Sequence, residues 1–169
     1  MALRLYIQRL ERFSESRGAP VDRNSLTAGV LGRLQDRRIV LRAGLSPEQE
    51  LLTLVHELTH LMIHRNVSPR INRTVCEYEA EAVERWVGGV LRVAPHADDA
   101  LDLATITDDL LACSVVRVRA AAITLLRIAR GESLQAQAAV EVDASAGEEV
   151  IFDDELRGMR DLIGLTQPL

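Results

Sequence analysis

The segment His56-Glu57-Leu58-Thr59-His60 constrains this chain more than any other stretch of its sequence. It has the spacing H-E-x-x-H and lies in a run whose apolar residues recur at helical intervals. Two imidazoles four residues apart project from one helical face, about 40° apart around the axis and about 6 Å apart along it. Two ligands of a single metal ion need this geometry, so the motif predicts a zinc site in the interior of a helix.

The helix that carries the motif has a clear start. Ser46 is a favourable N-cap, Pro47 suits the first helical position, and Gln49 completes a capping box three residues after Ser46. The apolar period then continues to about Arg65. We therefore predict a helix over residues 47–65, followed by a loop.

The remaining pattern predicts an α+β, mainly helical fold, with a small β-hairpin packed on the H-E-x-x-H helix. An amphipathic helix is expected at 3–16 and is ended by Gly18-Ala19-Pro20. Short β-branched runs within 29–45 predict the hairpin. Further helices are expected at 73–92 and at 114–130, the latter with Ser114 as its cap and Gly131 as its end.

Length and charge divide the chain into two parts. Its 169 residues suffice for one domain with a sizeable core, which we place at residues 1–130. Residues 131–169 hold two arginines against nine acids and are expected to form an acidic linker and a C-terminal helix at about 150–164.

Composition also limits localisation and partners. Cys76 and Cys113 have no C-x-x-C spacing, and no apolar run reaches the roughly 18 residues that span a bilayer. The N-terminus lacks the apolar core of a signal peptide, so we expect a cytoplasmic protein without membrane contact. Aromatic residues make up 3% of the chain and are not interleaved with a basic patch, which argues against direct nucleic-acid binding.

The motif assigns chemical roles to its members. His56 and His60 are the expected zinc ligands, and Glu57 is the expected general base that deprotonates a zinc-polarised water. His64 faces the same side but lies about 12 Å along the axis from His56, so a single ion would not take all three histidines of a straight helix. Its alternative roles are to support a ligand, to face the substrate or to sit at the helix C-terminus. Candidates to stabilise an oxyanion are Tyr78, His64, Arg70 and Arg73.

A third protein ligand is expected from the acidic helix that follows. A helical wheel places Glu79 inside the apolar arc of that helix and Glu77 at its edge, which favours Glu79. The residues by themselves leave the choice between these two glutamates open.

The order of hairpin, T-L-V-H-E-L-T-H-L-M-I-H and E-Y-E-A-E-A-V resembles the ImmA/IrrE-type zinc peptidases of bacteria and phages. It is most similar to the zinc-peptidase-like domain associated with ArdC-type antirestriction proteins. The resemblance implies a zincin-like (gluzincin) core. It favours Glu77 as third ligand, because the family places a glutamate three residues before an alanine, here Ala80. Glu81 stands where the family has asparagine and is expected to support His56 or His60.

Two functions follow from these observations. The first is a zinc metallopeptidase that hydrolyses a peptide bond in a protein partner, and the resemblance implies a transcriptional regulator as that partner. The alternative is a non-proteolytic antirestriction or regulatory binding module, in which the acidic C-terminal segment is the interaction element. That segment could also cover the active site and keep the enzyme latent.

Overall fold

A computed structural model describes residues 2–64, 73–94 and 108–132, with side chains from Ser114 onward in the last range. The described part is mainly helical with one small sheet, which confirms the predicted α+β class. The elements in chain order are α1 (Ala2–Ser16), β1 (Val21–Asn24), β2 (Gly32–Gln35), β3 (Arg38–Arg42), α2 (Pro47–Thr59), a π-helical turn (His60–His64), α3 (Arg73–Leu91) and α4 (Asp108–Arg130).

Helix α2 is the centre of the core. It contacts α1, α3, and strands β2 and β3, and most of its side chains between Leu51 and Thr59 are buried. Its start is the predicted one: the Ser46 hydroxyl accepts from the Gln49 N–H, and the Gln49 side chain accepts from the Ser46 N–H. The capping box therefore fixes where the helix begins and so the orientation of both histidines.

The predicted hairpin is present, and it belongs to a larger sheet. Strands β2 and β3 pair antiparallel through a two-residue turn in which Asp36 and Arg37 both have positive φ, as a type I′ turn requires. Strand β1, which the sequence analysis did not anticipate, pairs parallel with β3, so the order is β1-β3-β2. As the middle strand, β3 buries three consecutive residues (Ile39, Val40 and Leu41), and the sheet lies against α2.

The end of the motif helix departs from the prediction. The α-helix stops at Thr59, and residues His60–His64 form a π-helical turn instead of a further α-helical turn. Such turns are rare and concentrate at functional sites. This one begins at the second histidine of the motif and ends at His64.

Helix α4 also differs from its predicted start. It begins at Asp108, so Ser114 is not its cap but lies inside the helix, fully buried, with its hydroxyl on Glu79 of α3. Its end is the predicted one, since Gly131 has a positive φ and its N–H bonds back to Ile128.

None of the described helices is both long and apolar enough to cross a membrane. The predicted loop at 66–70 and the predicted C-terminal helix at 150–164 lie outside the described residues. The proposed division at residue 130 stays a prediction, because only Gly131 and Glu132 of the acidic segment are described.

We expect Gly32→Ala to lower the free energy of unfolding by about 1–3 kcal/mol through overpacking. A Cβ at Gly32 would lie 2.5 Å from Thr53 Cγ2, and a β-branched side chain in a helix has little freedom to rotate away. Gly89→Ala is the matched control, because its Cβ would meet nothing within 4 Å and alanine favours the helix. Chemical denaturation measures both; equal effects of the two substitutions would contradict this packing.

Two helix ends predict opposite effects on stability. Arg92 ends α3 with φ 58°, where an L side chain costs about 1–2 kcal/mol, so Arg92→Gly should stabilise the protein by up to about 1 kcal/mol. Gly131 ends α4 with φ 77°, so Gly131→Ala should destabilise it by a similar amount. Denaturation midpoints test the pair, and a loss of stability in Arg92→Gly would refute the assigned cap.

Candidate metal centre

The two histidines of the motif lie side by side at the junction of α2 and the π-helical turn. Their ring centroids are 4.9 Å apart, and the two Nε2 atoms are 3.2 Å apart. Both rings are partly buried. Each therefore presents one ring nitrogen to the same small volume, as the helical spacing predicts.

Glu77 of α3 reaches the same volume from the facing helix. Its Oε2 lies 3.5 Å from His56 Nε2 and 3.4 Å from His60 Nε2. Within the described residues, His56, His60 and Glu77 are the one group of three potential metal ligands whose donor atoms converge in this way. The structure thus brings together the three residues that the sequence and the family resemblance name as ligands.

The size of this donor triangle fits zinc. Three donors at about 2.0–2.1 Å from a tetrahedral ion lie about 3.3–3.4 Å from one another. The observed edges are 3.2, 3.4 and 3.5 Å. Two imidazole nitrogens and one carboxylate oxygen are also ligands that catalytic zinc sites use, with the fourth position left for water or substrate.

The electrostatics of the group favour a cation. Burial lowers the pKa of His56, but hydrogen bonds to Glu77 and Glu84 outweigh burial and raise that pKa to about 10. Hydrogen bonds from His56 and His60 in turn lower the pKa of Glu77 well below its usual range. A proton and a metal ion are thus alternative cations for the same negative surroundings.

Glu57 lies beside the triangle without belonging to it. Its side chain is buried under strand β2: a Cβ at Gly32 would lie 3.1 Å from Glu57 Oε1. Burial raises the pKa of Glu57, against the opposing effect of His56 and His60. A carboxylate with a raised pKa, held next to a metal position, has the properties of a general base.

The outer nitrogen of His56 is held by Glu84, which lies about two helical turns beyond Glu77 on α3. His56 Nδ1 lies 3.2 Å from Glu84 Oε2, and Glu84 is buried. Because a carboxylate oxygen accepts, His56 Nδ1–H is the donor to Glu84, and Nε2 is directed at the triangle. Histidine ligands of metals are commonly oriented by a carboxylate in this way. The family resemblance predicted this role for Glu81, but Glu81 instead forms an ion pair with Arg85.

His64 and Glu79 form a second arm behind His60. His64 Nδ1 lies 2.9 Å from His60 Nδ1, and His64 Nε2 lies 2.9 Å from Glu79 Oε2. Neither residue belongs to the donor triangle. Glu79 faces α4, where the Ser114 hydroxyl donates to it at 2.6 Å and the Arg117 guanidinium binds it. The helical wheel thus correctly placed Glu79 on a buried face, but that face is turned toward α4.

The proposed oxyanion candidates are distributed over several environments. Arg73 is almost fully exposed and lies 3.5 Å from Glu77 Oε1 through its Nε atom, at the rim of the site. Tyr78 is buried. His64 contacts His60 and Glu79, and Arg70 lies outside the described residues. No motif pointed to Glu84, Ser114 or Arg117, although the surplus of acids on α3 was a signal that some of them had buried partners.

A comparison with protein-family models supports the same interpretation. The peptidase M78 family model, described as an IrrE N-terminal-like domain, matches residues 11–100, slightly more than half of the chain. Comparisons with curated proteins and with solved structures gave no significant match. The match covers β1 to α3 and all the members of the donor triangle. It does not extend to the ArdC-associated subgroup, which stays a prediction. By its sequence, this chain belongs to the peptidase M78 family, whose members include IrrE.

Proposed function

We propose that this protein is a zinc metallopeptidase in which His56, His60 and Glu77 hold the metal ion. The observation that carries the proposal is the donor triangle, with edges of 3.2, 3.4 and 3.5 Å, formed by residues from two different helices. Membership of a metallopeptidase family supports the reaction type. Zinc held at this position would act as a Lewis acid toward a water molecule and a peptide carbonyl.

In this proposal Glu57 carries the proton of the reaction. Its buried carboxylate receives a proton from the attacking water and delivers it to the nitrogen of the leaving amine. Burial raises the pKa of this carboxylate above its ordinary value, which suits it to take up a proton. The absence of a side chain at Gly32 lets strand β2 lie close over it.

The substrate we propose is a peptide bond in a protein partner, and a transcriptional regulator is the class that the resemblance to ImmA/IrrE proteins implies. This choice of substrate rests on that resemblance alone, and the geometry of the site does not depend on it. The acidic segment from residue 131 onward carries no part of the proposal.

One zinc ion per chain should bind, and replacing Glu77 by alanine should weaken that binding. The loss should exceed the roughly 10- to 100-fold that removal of an outer partner causes, because a direct ligand is removed. Chelator competition measures the affinity. Cys76→Ser is the matched control, since it removes a potential metal ligand next to Glu77 that lies outside the triangle. Undiminished affinity in Glu77→Ala, or its loss in Cys76→Ser, would contradict the ligand set.

Glu57→Gln should retain zinc and lose hydrolysis by about 10²- to 10⁴-fold, because the amide keeps the shape of the side chain but cannot take up the proton. A proteome-derived peptide library, incubated with zinc-loaded protein and analysed by mass spectrometry, locates the cleaved bonds and their rates. Glu48→Gln, at an exposed position on the first turn of α2, serves as the control. The proposal would be contradicted if Glu57→Gln cleaved at the wild-type rate, or if the zinc-loaded wild-type protein cleaved no peptide.

A further inference from the structure

Glu79 is a buried carboxylate whose hydrogen bonds come from two different helical segments. It is 1% exposed. The Ser114 hydroxyl donates to its Oε1 at 2.6 Å, the Arg117 guanidinium forms an ion pair with it, and His64 Nε2 lies 2.9 Å from its Oε2. Burying a charge is costly unless it is fully paired, and here His64, Ser114 and Arg117 are the partners of the carboxylate.

A continuous chain of hydrogen bonds links this carboxylate to the candidate metal centre. Glu79 Oε2 lies 2.9 Å from His64 Nε2, and His64 Nδ1 lies 2.9 Å from His60 Nδ1. His60 Nε2, on the opposite side of that ring, faces His56 and Glu77. His60 and His64 are the first and last residues of the π-helical turn, and their ring centroids are 5.0 Å apart.

With both rings neutral, only one assignment of protons satisfies every link of this chain. The Glu79 carboxylate is an acceptor, so His64 Nε2 must carry a proton and donate it. The His64 ring then has an unprotonated Nδ1, which accepts from His60 Nδ1–H. With its proton on Nδ1, the His60 ring keeps a free lone pair on Nε2, the atom that belongs to the donor triangle.

We propose that Glu79, held by Ser114 and Arg117, acts through His64 as a positioning device that fixes His60 in the tautomer with a free Nε2. Because that nitrogen is a ligand atom in the function proposed above, the inference rests on that function. His56 contacts its carboxylate partner, Glu84, directly. His60 reaches its carboxylate partner, Glu79, through the ring of His64.

The two α4 residues of this arm lie outside the part of the chain that the family model matches. The family match ends at residue 100, whereas Ser114 and Arg117 lie beyond it. A purely structural alternative is that Glu79 only ties α3 to α4. The two roles differ in what they predict: a structural tie changes stability, while a positioning device also changes the tautomer of His60.

The first test is the tautomer itself, read from ring ¹⁵N chemical shifts and long-range ¹H–¹⁵N correlations of the full chain, with and without zinc. Wild-type protein should show His60 protonated on Nδ1 and His64 protonated on Nε2. In Glu79→Gln the amide oxygen should stay with Ser114 and Arg117 and the NH2 group should face His64, so that preference should be lost. Glu81→Gln on the same helix, where Glu81 pairs with Arg85, should leave it unchanged. A wild-type His64 protonated on Nδ1 would overturn the inference.

The second test is zinc affinity, measured by chelator competition. Glu79→Gln should weaken binding by about 10- to 100-fold, as the loss of an outer partner usually does, and Glu81→Gln should not. His64→Gln offers both an acceptor and a donor and should keep most of the affinity, whereas His64→Met offers neither and should lose it. Equal zinc affinities in these two His64 variants would contradict the positioning role and leave Glu79 with only a structural role between α3 and α4.

These outcomes separate the inference from the proposed function. If wild-type protein binds no zinc, the metallopeptidase proposal fails, and the ring ¹⁵N shifts still decide whether Glu79 sets the tautomer of His60. If zinc binds and the tautomers of His60 and His64 do not respond to Glu79→Gln, only the inference fails. Should Glu79→Gln fail to fold, the His64→Gln and His64→Met pair decides the question.

Discussion

The pairing of buried ionisable side chains where α2 and α3 face each other is the interaction on which the rest of this structure depends. Glu57, Glu79 and Glu84 are buried close to three imidazoles, and Glu77 lies half-buried beside them. A buried carboxylate is costly unless it is neutralised or hydrogen-bonded, and Glu77, Glu79 and Glu84 each have a histidine partner. The capping box, the close approach of β2 at Gly32 and the helix ends serve to hold these groups in place.

Much of this arrangement was predictable because its determinants are local. A capping box needs only Ser46 and Gln49, and the histidine spacing needs only helical geometry. The ends of α1 and α4 were signalled by glycines that adopt positive φ. The family motif singled out Glu77, and the structure brings it to both histidines. The role of these three residues as zinc ligands remains the proposal that experiment must decide.

The features that escaped prediction depend on contacts distant in sequence. Strand β1 carries the polar sequence Val-Asp-Arg-Asn and exists because β3 offers it a parallel partner. Serine is a common cap residue, yet Ser114 lies within α4, where its hydroxyl donates to the buried Glu79. The π-helical turn leaves no signature in apolar periodicity, so the contact of His64 with Glu79 was not predicted. A helical wheel can show that Glu79 is buried, but not which helix buries it.

The central claim, that His56, His60 and Glu77 together bind zinc, is tested most directly by X-ray absorption spectroscopy of the zinc-loaded wild-type protein. The account predicts a first coordination sphere of two imidazole nitrogens and oxygen donors, at about 2.0–2.1 Å, without sulfur. Three imidazoles per zinc would mean that His64 replaces Glu77. A shell at about 2.3 Å would indicate a thiolate ligand. Either result would contradict the account.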